Sequence, residues 1–321
     1  MNQVRPESRA IAPPGLIDTL QAGFDTVNRN LWVLALPIAI DVFFWLGPQL
    51  TLGSVADWLG QTGPSSFTGG LLARTLGSQA AAAVPTIPSY YNLFWLLSLP
   101  LIGIPSFKAG DPGTGPTVPV DSAFGGAFVL LILTLAGLSV AALFYGLLAQ
   151  AVRSGRAGVI SLLPQLGQLW VNLIALFLLA GAAFAGLAIL GALALRGLGS
   201  VAPYLGTAAA SVFLALLLWG FIYLFFTTDA LFVGMVGPWQ AVTSSAGLVR
   251  KNFWSTLGFI ALVLVIGAGF TVILHTVAQG LMPGGTAVAI LGHIYISSGL
   301  VAASMTYYKE RLDSPSLPSM R

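Results

Sequence analysis

The chain has 321 residues, of which 56% are hydrophobic and only 7% charged, with a formal net charge of +3 and a mean hydropathy of +0.89. Soluble domains carry roughly 25% charged residues, so this composition excludes a soluble globular protein and indicates a polytopic helical membrane protein. No more than two basic residues are adjacent, which argues against a nucleic-acid-binding surface. The absence of cysteine excludes disulfides and thiolate metal sites.

The first 50 residues predict a tail, a surface helix and a membrane span. Residues 1–14 are polar and proline-punctuated. Residues 15–29 place apolar and polar side chains on opposite helical faces, so they predict an amphipathic helix lying in the membrane interface. The apolar residues 31–50 are long enough for a first span, which needs about 20 residues. Because the chain begins without a cleavable signal pattern, we expect this span to act as the insertion signal as well.

Residues 51–122 predict an extracytoplasmic insertion that interrupts the helical pattern. Turn residues dominate it, and residues 108–121 form a Gly/Pro loop. The apolar run at residues 90–107 is barely long enough to span, and Pro100 and Pro105 break its second half. We therefore predict that this run is a re-entrant segment, which enters the membrane and does not cross it.

The remaining residues predict five further spans and two further interfacial helices. The spans lie at residues 124–149, 173–195, 207–228, 254–277 and 287–308, and a cytoplasmic tail follows at 309–321. The interfacial helices are expected from residue 158 and at residues 239–253, where Val242 and Val249 would form the membrane-facing side. In the third span, small residues recur four apart, which favours close helix packing: Gly181 with Ala185, Ala182 with Gly186, and Ala188 with Ala192.

Three similar segments predict an internal repeat within a single membrane domain, residues 1–321. Asn30 is followed by Leu-Trp and Asn252 by Phe-Trp, each at the junction of an interfacial helix and a span, and Asn172 occupies the same junction in the middle of the chain. Asparagine caps helices and tryptophan prefers the headgroup level. The predicted fold is therefore all-α, with six transmembrane helices built as three repeats of an interfacial helix plus two spans.

The distribution of Lys and Arg decides between six and seven spans. With six, ten basic residues lie on the cytoplasmic side and three outside: Arg74, Lys108 and Arg196. If residues 90–107 cross, the side that holds the N-terminus keeps five basic residues against eight. The positive-inside rule therefore favours six spans with both termini cytoplasmic.

The last third of the chain carries a resemblance to a known group. The segment beginning at Trp239 reads WQAVTSSAGLVRKNFWSTLGFIALVLVIG, and it resembles six-helix integral membrane proteins of prokaryotes that are related to the glycerophosphodiester phosphodiesterase membrane domain. In that group an Ala, a Ser, a basic residue and an aromatic residue introduce the penultimate span; here these correspond to Ala241, Ser244 or Ser245, Lys251 and Phe253. The resemblance implies the membrane architecture only, because the phosphodiesterase chemistry belongs to a separate soluble domain.

Three polar side chains in the predicted spans are candidates for an intramembrane site: Asp41, His275 and His293. Asp41 lies at mid-depth in the first span, where an ionisable group is expensive and marks a functional site or a hydrogen-bonded helix contact. The two histidines lie at similar distances from the turn near Pro283, so they are expected to face each other. A metal would need a third ligand, which makes interfacial packing the favoured interpretation. Asp229 is expected at the cytoplasmic end of the fourth span, near Arg250.

Two functions of different class are consistent with this pattern. No Ser-His-Asp spacing, phosphate loop or HExxH motif occurs, so we expect neither an enzyme nor a cofactor. The favoured hypothesis is a scaffold or accessory subunit in a prokaryotic plasma membrane, with the lipid bilayer, membrane proteins or a second copy as partners. The alternative is a small transporter or channel that uses Asp41 and the two histidines along a polar path.

Overall fold

The computed structural model describes residues 14–51, 92–99, 103–107, 115–120, 122–281 and 284–312. The described residues are mostly helical, as predicted, with one pair of short strands and connecting segments such as residues 103–107. The helices are α1 (Leu16–Arg29), α2 (Ala35–Leu46), α3 (Ala123–Ser154), α4 (Val159–Val201), α5 (Pro203–Leu224), α6 (Thr227–Val233), α7 (Pro238–Lys251), α8 (Phe253–Gly280) and α9 (Gly284–Leu312). The strands β1 (Gln49–Thr51) and β2 (Thr117–Pro119) are parallel, and 3-10 helices occupy Leu31–Leu34 and Leu93–Ser98.

Five helical segments in the described ranges are long and apolar enough to cross a membrane. They lie at Phe124–Ser154, Val159–Gly191, Tyr204–Val233, Phe253–Gly280 and Gly284–Leu312. Each overlaps one of the predicted spans. A sixth crossing arises if Leu16–Arg29 and Leu31–Leu46 count as one broken span, but the two halves meet at 84°. The residues from Leu31 to Leu46 are the only part of the predicted first span that is helical.

The corners before α2 and α8 have closely similar backbone geometry. Helices α1 and α7 each contain 14 residues and each starts after an extended glycine, Gly15 (φ −64°, ψ 161°) or Gly237 (φ −68°, ψ 164°). Each ends at an asparagine outside the helical region, Asn30 (φ −133°, ψ 39°) or Asn252 (φ −122°, ψ 37°). Because such dihedrals interrupt the helical backbone, the chain changes direction at the asparagine before the next helix begins.

The break predicted at Asn172, between an interfacial helix and a span, does not occur in the described structure. We expected an interfacial helix from residue 158 and a separate span from residue 173, but α4 runs unbroken through 43 residues. Asn172 lies inside this helix, and Pro164, six residues from its start, does not end it. Apolar helix-forming residues continue on both sides of Asn172, so nothing in the local sequence stops propagation. At 1.5 Å per residue α4 is about 65 Å long, roughly twice the hydrocarbon core of a bilayer.

Helix α1 packs lengthwise against α9. Thr19 Oγ1 donates to Glu310 Oε2 at 2.8 Å near one end, and Tyr295 Oη donates to Asn28 Oδ1 at 2.9 Å near the other. Between them, a β-carbon on Gly23 would overlap the backbone of Ala303, so only glycine permits this approach. The expectation that the apolar face of α1 rests on the membrane is therefore wrong: α9 covers that face, and the polar side remains exposed.

Helix α7 likewise turns its apolar face toward protein. Val249 and Ala241 are fully buried in the core, and Val242 packs against it. The predicted membrane-facing side of this helix is thus an internal contact with α5 and α6. Trp239, by contrast, is 67% exposed. The amphipathic pattern was identified correctly, but pattern alone does not distinguish a lipid surface from a neighbouring helix.

Three helices are tied together in a cycle at the end where α9 finishes. Lys309 Nζ on α9 donates to the carbonyl oxygens of Val152 and Arg153 on α3, at 3.0 and 3.3 Å. Arg153 Nη1 donates to the carbonyl oxygen of Phe232 on α6 at 2.6 Å. Asp229 on α6 accepts from Ser304 Oγ and so returns to α9. The two cations also satisfy carbonyl groups that helix ends leave unpaired.

The hairpin of α4 and α5 extends away from the core. Residues 181–186 are all exposed, and a β-carbon on Gly181 or Gly186 would meet nothing within 4 Å. Within the range of the predicted stripe of small residues, which extends to Ala192, close packing is observed at Gly191, which lies against the ring of Phe213. Residues 181–186 face away from the described protein.

Candidate functional site

Asp41 is buried and anchors residues from the insertion. It lies on α2 with 1% of its surface exposed. Its Oδ1 accepts from Ser106 Oγ at 2.5 Å, and its Oδ2 accepts from the Phe107 backbone N–H at 2.7 Å. Both carboxyl oxygens are therefore engaged by one short stretch of chain. Asp41 thus makes hydrogen bonds to residues 106 and 107 of the predicted re-entrant run.

Phe107 connects Asp41 to the two histidines. Its ring centroid lies 4.6 Å from that of His275 on α8 and 5.6 Å from that of His293 on α9. Phe107 itself is 3% exposed, whereas both histidines are half-buried. His293 Nε2 also lies 3.3 Å from Ser297 Oγ, one turn along α9. All three sequence-predicted candidates therefore surround a single residue that was not predicted.

Both ends of the segment between Asn92 and Pro116 are attached to β1. The Leu50 N–H donates to Asn92 Oδ1 at 3.2 Å, and the Gln49 N–H donates to the Pro116 carbonyl oxygen at 3.0 Å. Pairing of β1 with β2 continues the second attachment. The segment therefore leaves β1 and returns to it. Residues 100–102 and 108–114 lie outside the described ranges.

Between these attachments the segment follows α3. Leu93 packs against Leu133 near the start of the contact, and a β-carbon on Gly137 would overlap the carbonyl of Leu96. Further along, Tyr145 Oη donates to the Gly103 carbonyl oxygen at 2.9 Å. Leu133 and Tyr145 are twelve residues apart, about 18 Å along the helix axis. The contact thus covers more than half the thickness of a hydrocarbon core of about 30 Å.

A second buried carboxyl was placed only approximately by the sequence. Asp229 on α6 has 3% of its surface exposed and accepts from Ser304 Oγ on α9. We expected it near Arg250, but the neighbour shown is a serine on a helix 75 residues later. The available signal was a carboxyl directly after an apolar run of span length. This signal indicates that the carboxyl is buried but does not identify its hydrogen-bond partner.

Ser245 has a structural role that the sequence did not reveal. It is fully buried on α7, where its Oγ donates to the Tyr223 carbonyl oxygen at 2.8 Å and accepts from the Phe226 N–H at 3.2 Å. Both partners lie at the break between α5 and α6, where helical backbone partners are lost. Ser245 therefore supports the fold at this break instead of facing a membrane surface. Its spacing of four from Ala241 was the only hint of a buried face.

The described residues contain no group of three or more His, Cys, Asp or Glu side chains that could hold a metal ion. Both carboxyl oxygens of Asp41 are bonded to Ser106 and Phe107, and the Phe107 ring packs against the imidazole rings of His275 and His293. This arrangement positions chain segments against one another. It offers polar groups from α2, α8 and α9 at one place, but within the described residues it lacks the third ligand that the histidine pair would need.

Comparison of the chain with family models, curated proteins and solved structures found no match.

Proposed function

We propose that this protein is a scaffold or accessory subunit of a prokaryotic plasma membrane without catalytic activity of its own. The proposal rests on the role of two buried carboxyl groups, Asp41 and Asp229, which hold other parts of the chain in place. Asp41 holds residues 106 and 107, and Asp229 holds α9 through Ser304. A carboxyl engaged in this way stabilises the arrangement of the helices. Such groups fix the tertiary structure where polar side chains are expensive.

We further propose that the fold is built from three repeats of an initial helix and two spans, with the initial helix and first span of the second repeat joined in the continuous helix α4. The matching caps of α1 and α7 support this arrangement. So does the packing partner of each initial helix, which is the second span of the preceding repeat. Thr19 of α1 bonds to α9, Ser161 of α4 accepts from Gln150 of α3 at 2.6 Å, and Ser245 of α7 bonds to α5. Three such contacts close a ring.

The proposed topology has six spans, cytoplasmic termini and a re-entrant segment at residues 90–107. The ten-to-three distribution of basic residues supports it. Attachment of Asn92 and Pro116 to the same strand supports an entry and exit on one side. The relation to the glycerophosphodiester phosphodiesterase membrane domain stays a proposal that rests on the pattern following Trp239 alone.

For a scaffold, the α4–α5 hairpin is the natural surface for lipids, membrane-protein partners or a second copy. Phe184, Leu190 and Leu214 are each more than 60% exposed there. Residues 181–186 combine this exposure with small side chains, which allow close approach of another helix. We place partner contact on this hairpin, because its helices are only 11% buried within the protein, whereas α3 and α9 are 33% and 50% buried.

A second candidate function is transport along the cluster around Phe107. The observation that favours it is the convergence of Asp41, His275 and His293 on one residue, although they come from three helices. In this alternative, residues 103–107 would have to move to open a path. Because the segment is held by Asp41 at one end and Tyr145 at the other, such movement would require breaking at least three hydrogen bonds.

Reconstitution into sealed vesicles containing a pH-sensitive dye distinguishes the two functions. A scaffold predicts that flux of protons and monovalent cations equals that of empty vesicles, for the parent chain and for Asp41→Asn alike. A flux in the parent that Asp41→Asn abolishes, with unfolding unchanged, would reject the scaffold and support transport. In intact cells, a photo-crosslinking residue at Ala185 should give a discrete protein adduct. The same residue at Ile160, which is also exposed but lies in the first turn of α4, far along the helix from residues 181–186, serves as the control.

A further inference from the structure

The two histidines lie against one buried aromatic ring. The centroid of the Phe107 ring is 4.6 Å from that of His275 on α8 and 5.6 Å from that of His293 on α9. Phe107 is 3% exposed, whereas both imidazoles are half-buried. Because both histidines contact the same ring, a positive charge on one of them acts on the other at short range and in a partly desolvated place.

The helices around this ring supply few other charges. Helix α8 contains no Asp, Glu, Lys or Arg, and α2 contains only Asp41. The charged residues of α3 and α9 lie in the last turns of these helices, at positions 153 and 309–311. On α9 the closest of them is sixteen residues from His293, about 24 Å along the helix. Charge at the ring is therefore set by the two histidines and one carboxyl.

The neighbouring titratable groups are already engaged in hydrogen bonds. Asp41 accepts from Ser106 Oγ and the Phe107 N–H, and Tyr145 Oη on α3 donates to the Gly103 carbonyl oxygen. Tyr295 Oη on α9 donates to Asn28 on α1. Lys108, the next residue after Phe107, lies outside the described ranges. An imidazolium that approached Asp41 would compete with Ser106 and Phe107 for the same two oxygens.

One positive charge at this ring is tolerated, and a second one is not. A single imidazolium against the Phe107 ring gains a cation–π interaction. A second imidazolium is repelled by the first, and the one carboxyl nearby holds residues 106 and 107 with both of its oxygens. Residues 103–107 are therefore compatible with one charged histidine and are destabilised by two.

Release of residues 103–107 removes this repulsion. Without Phe107, both imidazoles gain water, in which histidine takes up a proton near pH 6.5. The open form then binds more protons than the closed form, so acid favours opening and neutral pH favours closure. If the open form binds one proton more, a change from pH 7.5 to 5.0 raises the opening equilibrium about 30-fold.

We propose that His275, His293 and Phe107 form an acid-sensitive latch on residues 103–107. At neutral pH the segment is held by Asp41, by Tyr145 and by the packing of Phe107 against two uncharged imidazoles. Below about pH 6, protonation of the second histidine releases the segment and exposes Ile104 and Phe107. The latch does not depend on the proposed scaffold role, and it requires no ion to cross the membrane.

A cysteine at Ile104 reports opening of the latch, because the chain has no native cysteine and Ile104 is 3% exposed. The full chain in micelles is treated with maleimide between pH 7.5 and 5.0. Each rate is divided by that of a cysteine at Val118, which is 49% exposed on β2, to cancel the titration of the thiol itself. The normalised rate should rise about 30-fold at pH 5.0 in the parent. In His275→Gln and in His293→Gln it should rise less than about threefold, because one charge is tolerated.

Two controls separate the latch from other effects of acid. Ser297→Ala removes the hydroxyl 3.3 Å from His293 Nε2 without removing a titrating group, and it should keep the full rise. A cysteine at Leu162, which is 1% exposed on α4, should stay unreactive at pH 5.0, because the chain as a whole remains folded.

Four results would overturn the proposal. These are a parental rate at Ile104 that does not depend on pH, a full rise in both histidine variants, an equal rise at Leu162, and a rise that Asp41→Asn abolishes while both histidine variants keep it. The third result would mean acid unfolding of the whole chain. The fourth would assign the titration to the carboxyl and not to the histidines.

Discussion

Replacing Asp41 by leucine tests whether this carboxyl holds residues 103–107 in place. The change removes the acceptors of Ser106 Oγ and of the Phe107 N–H, now bonded at 2.5 and 2.7 Å. Hydrogen bonds inside membranes contribute about 0.6 kcal/mol on average and at most about 1.7 kcal/mol. We take the average for the hydroxyl, which rotates to another acceptor, and the maximum for the buried N–H. Asp41→Leu should therefore lower the free energy of unfolding by about 2 kcal/mol.

Two matched variants separate the hydrogen bonds from the charge. Asp41→Asn keeps an oxygen for the Phe107 N–H and gains an amide that donates to Ser106 Oγ, so its loss should stay below about 1 kcal/mol. Ser106→Ala removes one of the two bonds. Added to Asp41→Leu it should cost nothing further, because its partner is already gone. The free energy of unfolding of the parent and of these four variants is measured by denaturant unfolding in micelles.

A local probe checks the same reasoning independently of global unfolding. The chain has no cysteine, so a cysteine at Ile104, a residue with 3% exposure, reports opening of this segment alone. A loss of about 2 kcal/mol corresponds to a roughly 25-fold faster reaction with maleimide in the Asp41→Leu background. If Asp41→Leu unfolds like the parent and the cysteine at 104 reacts at the parental rate, the anchoring role of Asp41 is refuted.

Two further predictions concern topology and packing. Single cysteines at Lys108 and Ser154 should react oppositely with a membrane-impermeant maleimide on intact cells: position 108 should label, and position 154 should stay protected until the cells are opened. The reverse pattern would establish seven spans and remove the three-repeat arrangement. Gly23→Ala should displace α1 from α9 and cost about 2 kcal/mol, since its β-carbon overlaps Ala303, whereas Gly186→Ala should be neutral or stabilising by up to about 1 kcal/mol. Thermal melts compare the two, and equal melting temperatures would contradict the close contact of α1 with α9.

Several features of the candidate site were accessible from the sequence because burial in a membrane makes polar residues conspicuous. Asp41 and the two histidines stand out against apolar neighbours, and helical periodicity places the histidines near the same end of their hairpin. Phe107 was not identifiable in this way. An aromatic residue in an apolar run carries no distinguishing signal, and its position between His275 and His293 depends on where residues 103–107 fold back.

The helix breaks at Asn30 and Asn252 likewise depend partly on neighbouring residues and partly on contacts with distant parts of the chain. Asn30 and Asn252 both end a helix, and an asparagine with a tryptophan two residues later indicated the break correctly. Asn172 carries a similar local signal yet lies within an unbroken helix. Asn30 bonds to Ala157 across the fold, which fixes its corner. Backbone preference alone is too weak to stop a helix when apolar residues continue beyond it.

The amino-acid sequence by itself determined the helical class of the protein, the positions of five helices long and apolar enough to cross a membrane, and the amphipathic character of α1 and α7. Hydropathy and helical periodicity are properties of consecutive residues, so they need no partner. Only the tertiary structure decided what covers each face: α9 against α1, the α5–α6 break against Ser245, and residues 106 and 107 against Asp41. The hydrogen bonds in these contacts join residues that are 19 to 291 positions apart in the chain. No local pattern encodes such pairings, because every apolar or small face is compatible with many partners until the whole chain is packed.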